Sequence, residues 1–234
     1  MTDSTAAEAP TASTPCLVLL CKRPALGHSK QRLAQQIGLQ PALEIAQLLL
    51  DCALEDLQQW PAPKVIAPDH SRHLPWAQAL CPQALGVAQH DGNLGQRLND
   101  LDRRLRNLGL QRLLYIGSDC PALQPSDYRR VTCLLEANET VLLGARDGGV
   151  VLMASNRPWP DLSALPWSTA RLGTALFDCC QRAGHSVVWA GELFDIDHKE
   201  DLYALPSLLA QHGRPARLSL GHALQQLGVP ANAS

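Results

Sequence analysis

The chain has 234 residues, 46% hydrophobic and 18% charged, which are the proportions of one globular domain with a sizeable core. Its 20 basic and 22 acidic residues nearly cancel, so no overall field selects nucleic acid or an anionic membrane as a partner. No apolar run approaches the ~20 residues of a membrane span, and the eight cysteines (16, 21, 52, 81, 120, 133, 179 and 180) include no C-x-x-C pair, which reads as reduced, buried thiols in a cytoplasmic protein.

In chain order, residues 1–15 are Ala, Ser, Thr and Pro with two acids, without the basic start and apolar centre of a secretion signal; they read as a disordered tail. Residues 16–210 read as a single domain, and 211–234 as a weakly patterned C-terminal extension with at most a short helix and a frayed end. Cys16 to Cys21 is the first buried strand, followed by a helix start after Ser29 and a helical pattern from Pro41 to Gln59. Strands follow at Lys64 to Ala67 and near Leu85 to Ala88, with a weak helix at Ser71 to Leu80 between them. Leucines at 94, 98, 101, 105 and 108 make an amphipathic helix stopped by Gly109. Leu113 to Ile116 is a strand, Pro125 opens a helix, and Thr140 to Gly144 and Val150 to Ala154 are strands. Ser168 or Thr169 caps a helix running to about Ala183, whose interior holds the vicinal Cys179-Cys180; Val187 to Trp189 is a late strand and Lys199 to Leu209 a late helix. The alternation predicts an α/β fold, a three-layer α/β/α sandwich around a mostly parallel sheet.

Five segments carry chemistry. Leu113-Leu-Tyr-Ile-Gly-Ser-Asp-Cys-Pro is a buried strand that stops abruptly and sets Asp119 at its carboxyl end, where open α/β sheets bind ligands. An acid there suits a divalent metal held against phosphate oxygens; it equally suits a turn cap. Lys22-Arg-Pro-Ala-Leu-Gly-His-Ser-Lys-Gln-Arg-Leu33 places basic residues, Gly27 and a helix start directly after a strand, an anion cradle in type though neither a Walker loop nor G-x-G-x-x-G. Gln89 to Leu98 holds two glycines around a polar loop. Asp195-Ile-Asp197 puts two carboxylates on one side of an extended segment, with a helix cap by Asp197 and Glu200 as the competing use. Asp147-Gly-Gly149 is both a candidate site loop and an ordinary hairpin signal. Neither a G-x-S-x-G elbow nor an H-x-x-x-H pattern occurs, so nucleophilic hydrolysis has no support.

Taken in order, Lys22 to Leu33, Gln89 to Arg97, Ile116 to Leu123, Asp147 to Gly149, Trp167-Ser-Thr169 and Asp195 to Leu202 resemble the bacterial DUF2064 family of GT-A-type, nucleotide-diphospho-sugar transferase-like proteins, some described as arsenosugar-biosynthesis glycosyltransferases. The resemblance implies a metal-dependent transferase, cytoplasmic, that takes a nucleotide sugar or an NTP and an unidentified small-molecule acceptor, with neither a nucleic acid nor a membrane span; a homodimer stays open. It implies Mg²⁺ or Mn²⁺ on Asp119 and Asp197. Nucleotide phosphates would meet Lys22, Gly27, Lys30, Arg32, Asp91, Gly95, Arg97 and Ser118, and Asp147, Asp195 or Asp197 would act on the acceptor. A nucleotidyltransferase releasing pyrophosphate and a non-catalytic nucleotide-binding protein are the alternatives. The chain departs from the family pattern at Leu26, at Gln31, and at Val150-Val151, where an aromatic is expected, and Gly117 and Pro121 leave Asp119 without a literal Asp-x-Asp.

Overall fold

The computed structural model describes residues 14–209 and 213–229, so the tail read over 1–15 lies outside the described residues except for Thr14 and Pro15. Seven strands form one sheet: β1 (Cys16–Cys21), β2 (Lys64–Pro68), β3 (Leu85–Gly86), β4 (Leu113–Ile116), β5 (Thr140–Ala145), β6 (Val150–Ser155) and β7 (Val187–Leu193). Their order is β3-β2-β1-β4-β6-β5-β7. Pairing is parallel between β3, β2, β1 and β4 and between β5 and β7, while β6 runs antiparallel between β4 and β5. Strand directions therefore agree for six strands, and the expectation of a mostly parallel sheet holds.

The apolar runs of β1, β2, β4, β5 and β6 are strands because both faces are covered; the edge strands β3 and β7 are partly exposed. Along β1, Leu17 and Leu19 enter a core shared with α2 (Leu39–Gln59), α5 (Pro125–Ala137), α7 (Lys199–Leu209) and α8 (Pro215–Gln226). Cys16 and Val18 enter the core on the other face, with Leu98, Leu101 and Leu105 of α4 (Leu94–Asn107) and Leu176 and Cys180 of α6 (Leu172–Arg182). The period of two along the strand thus sorts residues between the layers. Two short helices complete the set: α1 (Gln31–Ile37), separated from α2 by Gly38 at φ 94°, and α3 (Leu74–Leu80), preceded by a 3₁₀ turn at Ser71–His73.

Local capping follows the sequence in some places and not in others. At α4, Asn93 accepts from the Gln96 amide (3.0 Å) and the Gln96 side chain accepts from the Asn93 amide (2.9 Å), a reciprocal capping box. At α6 the helix begins at Leu172, later than the Ser168/Thr169 cap expected: Ser168 takes a left-handed φ of 62°, and the Thr169 hydroxyl accepts from the Arg171 amide at 3.3 Å. Cys179 and Cys180 lie inside α6, and all eight cysteines are free thiols. Among the described residues no helix is long and apolar enough to cross a membrane.

The segment after Gly213 contains α8, whose Arg217 is 0% exposed. Its guanidinium donates to Glu55 (2.8 Å) and Asp56 (2.7 Å) on α2. Arg214 also pairs with Asp56, which in turn accepts from the Tyr128 hydroxyl of α5 at 3.0 Å. α8 is held by a buried ion network as much as by an apolar stripe.

Candidate functional site

Because six strands run the same way, the segments following β1, β2, β3, β4, β5 and β7 all emerge at one edge of the sheet. Every candidate residue named from the sequence lies in those segments or in the first turns of the helices they enter. This is the edge at which open α/β sheets bind ligands.

Lys30 is the centre of the arrangement. It precedes α1 with a left-handed φ of 49°, and its ammonium turns inward, leaving the side chain 7% exposed. Nζ lies 2.9 Å from Asp119 Oδ1 and 3.2 Å from Asp197 Oδ1, and donates to the Ile196 carbonyl. Three segments are thereby joined: the loop after β1, the turn after β4 and the stretch after β7. The Ile196 amide donates to the Asp119 carbonyl at 2.9 Å, pinning the last two together through the backbone. Arg32 Nη1 stands 3.5 Å from the other Asp197 oxygen, and the Ser118 hydroxyl is 3.4 Å from Asp119 Oδ1. Burial disfavours the Lys30 charge, but the two aspartates outweigh it and hold the ammonium above its ordinary value.

Asp195 and Asp197 flank Ile196, which is 0% exposed in the core, so the alternation of an extended segment places the two carboxylates on the site side. Burial first, then the neighbouring Asp119, Asp147 and Asp197 charges, push the Asp195 carboxyl up to about 7; Lys30 opposes them. Asp197 does not cap α7. The Asp201 carboxylate accepts from the amides of Asp197 (2.9 Å) and His198 (2.7 Å), while the Asp197 side chain is turned to Lys30 and Arg32. The capping use weighed for Asp197 and Glu200 is thus taken by Asp201, a residue the sequence did not single out.

The other candidates sort by position. Asp147 is exposed in the turn between β5 and β6, accepting from the Gly149 amide at 2.9 Å, and it acts on Asp195 through its charge. Arg146 beside it lies over the Phe194 ring, 5.0 Å from its centre. Lys22 is exposed at the start of the loop after β1, and Gly27 takes φ 74° in the turn that the Ser29 hydroxyl closes by accepting from the Ala25 amide at 3.0 Å. Asp91, Gly95 and Arg97 follow β3 and enter α4; none is among the ion-paired residues around Lys30. Gly95 has a packing reason of its own, since a Cβ there would stand 2.0 Å from the Leu162 carbonyl oxygen.

A divalent cation fits this site as one that shares two carboxylates with ligands brought by the substrate. Among the described residues no group of three or more His, Cys, Asp or Glu side chains is arranged to enclose a metal. Asp119 and Asp197 nevertheless converge on the point that Lys30 Nζ holds, and their side chains remain 47% and 41% exposed. Mg²⁺ is commonly held by one or two carboxylates with substrate phosphates and water completing the shell. The pair suits an ion that arrives with its phosphates.

A family model described as an uncharacterized protein conserved in bacteria, DUF2064, matches residues 49–169, just over half of the chain. The match takes in Asp91, Gly95, Arg97, Ser118, Asp119 and Asp147, and leaves out Lys22 to Arg32, Asp195 and Asp197. No curated protein matches. Among solved structures, a protein from Desulfovibrio desulfuricans G20, provisionally assigned as a nucleotide-diphospho-sugar transferase, is similar over 92% of this chain and 97% of its own, with 21% identity and a TM-score of 0.78. A cytidylyltransferase from Leptospira borgpetersenii serovar Hardjo-bovis is similar over 95% and 99% (12% identity, TM-score 0.57). A 4-diphosphocytidyl-2C-methyl-D-erythritol synthase is similar over 84% and 100% (12% identity, TM-score 0.53). At these identities the likeness is one of fold.

Proposed function

The chain belongs to the DUF2064 family, and from that premise we propose that it is a transferase acting on a nucleotide-activated donor, with a nucleotide sugar as that donor. The observation that carries the reading is the convergence of Asp119 and Asp197 on Lys30 at the carboxyl edge of the parallel sheet. A mixed set of two carboxylates and several cations, open to solvent on one side, is suited to a diphosphate and its counter-ion and poorly suited to an uncharged ligand. The fold shared with proteins named for nucleotide-diphospho-sugar transfer and cytidylyl transfer supports the same class.

In this reading Lys22, Lys30 and Arg32 face the donor phosphates, and Ser118 and the turn at Gly117 approach them from β4. Asp119 and Asp197 would hold Mg²⁺ or Mn²⁺. The chemistry such an ion supplies when bound is neutralisation of the charge that develops on the leaving diphosphate. Asp195, half-buried beside Asp119, is placed to take the proton of an acceptor hydroxyl, and Asp147 stands at the exposed rim of the same site.

The test is direct. In a thermal-shift screen of nucleotides and nucleotide sugars with and without Mn²⁺, ligands of the native state raise the melting temperature by mass action. The best ligand then goes to calorimetry. Asp119→Ala should retain the fold and lose at least about tenfold in affinity for nucleotide with Mn²⁺; unchanged affinity would remove Asp119 from the site. A second reading, nucleotidyl transfer, is favoured by the similarity to a cytidylyltransferase across 95% of the chain. Pyrophosphate release from CTP, GTP or UTP would select it, and nucleoside diphosphate release from a sugar nucleotide would select glycosyl transfer.

A further inference from the structure

Lys30 stands where the counter-ion of a bound diphosphate would stand. Its Nζ is 2.9 Å from Asp119 Oδ1 and 3.2 Å from Asp197 Oδ1, both within the range of a charge-assisted hydrogen bond or ion pair, and its third donor is used on the Ile196 carbonyl. The ammonium is buried while the two carboxylates are nearly half exposed, so it approaches them from beneath and a solvent-borne cation would approach from above. Two carboxylates that share an internal cation carry half the net charge of the same two without it, and attract a second cation less strongly.

We propose that Lys30 is an internal counter-ion to Asp119 and Asp197, and that a divalent cation takes up these carboxylates only in exchange with the Lys30 ammonium. The proposal rests on the reading of Asp119 and Asp197 as a cation site. It adds to that reading an order of events. In the free protein the lysine holds the carboxylates in place and keeps affinity for the bare ion low. When a nucleotide diphosphate arrives with its ion, the ammonium leaves the carboxylates for the phosphate oxygens, so no charge is left unpaired in either state. Arg32, already 3.5 Å from Asp197 and 61% exposed, remains on the outer side in both. The left-handed backbone of Lys30 fixes where its side chain begins, and the four-carbon stem allows the head to move between the two partners.

Mn²⁺ binding followed by electron paramagnetic resonance, with no nucleotide present, reads the exchange without recourse to turnover. Lys30→Met should bind Mn²⁺ at least about tenfold more tightly than the native protein, because the competing charge is gone, and Lys30→Gln should behave likewise. Equal or weaker Mn²⁺ affinity in both variants, with folding verified by circular dichroism, would overturn the exchange. Adding Asp119→Asn to Lys30→Met separates the two claims. If the double variant loses the gained affinity, the ion sits at Asp119; if it keeps it, the cation site itself is misplaced and the proposal falls with it. The native protein supplies a check that needs no variant. The ¹⁵Nζ resonance of Lys30, slow to exchange because the head is buried, should shift when Mg²⁺ and a nucleoside diphosphate are added together, as its partners change from carboxylate to phosphate oxygens. A resonance unmoved at saturation would overturn the proposal.

Discussion

Asp119 and Gly95 are both motif residues, and the structure gives them opposite kinds of reason. Asp119 ends a buried strand and turns its carboxylate to a lysine from another segment, so its chemistry is used outward. Gly95 sits in a motif that reads as a ligand loop, yet its missing side chain is explained inward: the segment carrying Leu162 passes over it, and the Trp167 indole donates to the same Leu162 carbonyl at 2.9 Å. Gly95→Ala should therefore cost stability before it costs binding. A Cβ at 2.0 Å from a backbone oxygen cannot be relieved by a side-chain rotation, so a loss of at least about 2–3 kcal/mol is expected, at the upper end for overpacking. Urea denaturation measures it, and a loss under about 0.5 kcal/mol, the range of neutral surface changes, would show that the segment can move aside. Sequence patterns identify such residues but not the direction in which they face, because facing depends on a segment far away in the chain.

At the scale of elements, β1, β2, β4, β5 and β6 are legible because each is an apolar run of strand length buried on both faces, while the edge strands β3 and β7 are short or half-exposed and show a weaker pattern. Element ends are less so. α6 starts late because Ser168 adopts a left-handed conformation where a capping hydroxyl is expected. α7 is capped from within by Asp201, and the Asp197 side chain pairs instead with Lys30 and Arg32. The turn between α6 and β7 offers a test of a different kind. His185 is buried, and its Nδ1 lies 2.9 Å from the Thr140 hydroxyl at the start of β5. Burial first, and then the Arg157 charge, lower its affinity for a proton. An unfolded His titrates near ~6.5, so between that value and its lower folded value the unfolded chain binds more protons and stability falls as pH falls. His185 should therefore contribute a decline in melting temperature as pH falls below about 6.5, against the opposite contribution of Asp195, whose raised carboxyl takes up its proton in the folded state over the same range. In His185→Gln, which keeps a partner for Thr140, that part of the decline should flatten. An identical pH profile for the two proteins would show that His185 contributes nothing to it.

For the whole molecule, the least legible feature is the one that closes the fold. Residues 211–234 carry no clear apolar period, and the reason is that α8 docks through charge: Arg217, 0% exposed, between Glu55 and Asp56, with Arg214 alongside. A pattern search counts an arginine as a surface residue and so passes over such a helix. The network also reaches the edge that carries the candidate site. Arg214 Nη2 donates to the Leu123 carbonyl at 3.0 Å, and Arg217 Nη2 stands 3.4 Å from the same atom, so α8 braces the end of the turn that begins with Gly117-Ser118-Asp119. Replacing Arg217 by Met removes one charge from a buried set and leaves Glu55 and Asp56 with Arg214, the Tyr128 hydroxyl and the Ala216 amide. Breaking a buried ion pair from one side typically costs about 3–5 kcal/mol, because the remaining charge is uncompensated. Arg217→Met should lose that much in urea denaturation and should still unfold in a single transition, since α8 shares its core with α2 and β1. Glu55→Gln should lose less, because Asp56 continues to pair with Arg217. Two separate transitions, or a loss below about 1 kcal/mol, would mean that α8 is an appendage whose removal leaves the sheet intact. If the brace matters to the site as well, Arg217→Met will also weaken nucleotide binding at temperatures where it remains folded, although Arg217 lies on α8 and contributes nothing to the Lys30 cluster itself.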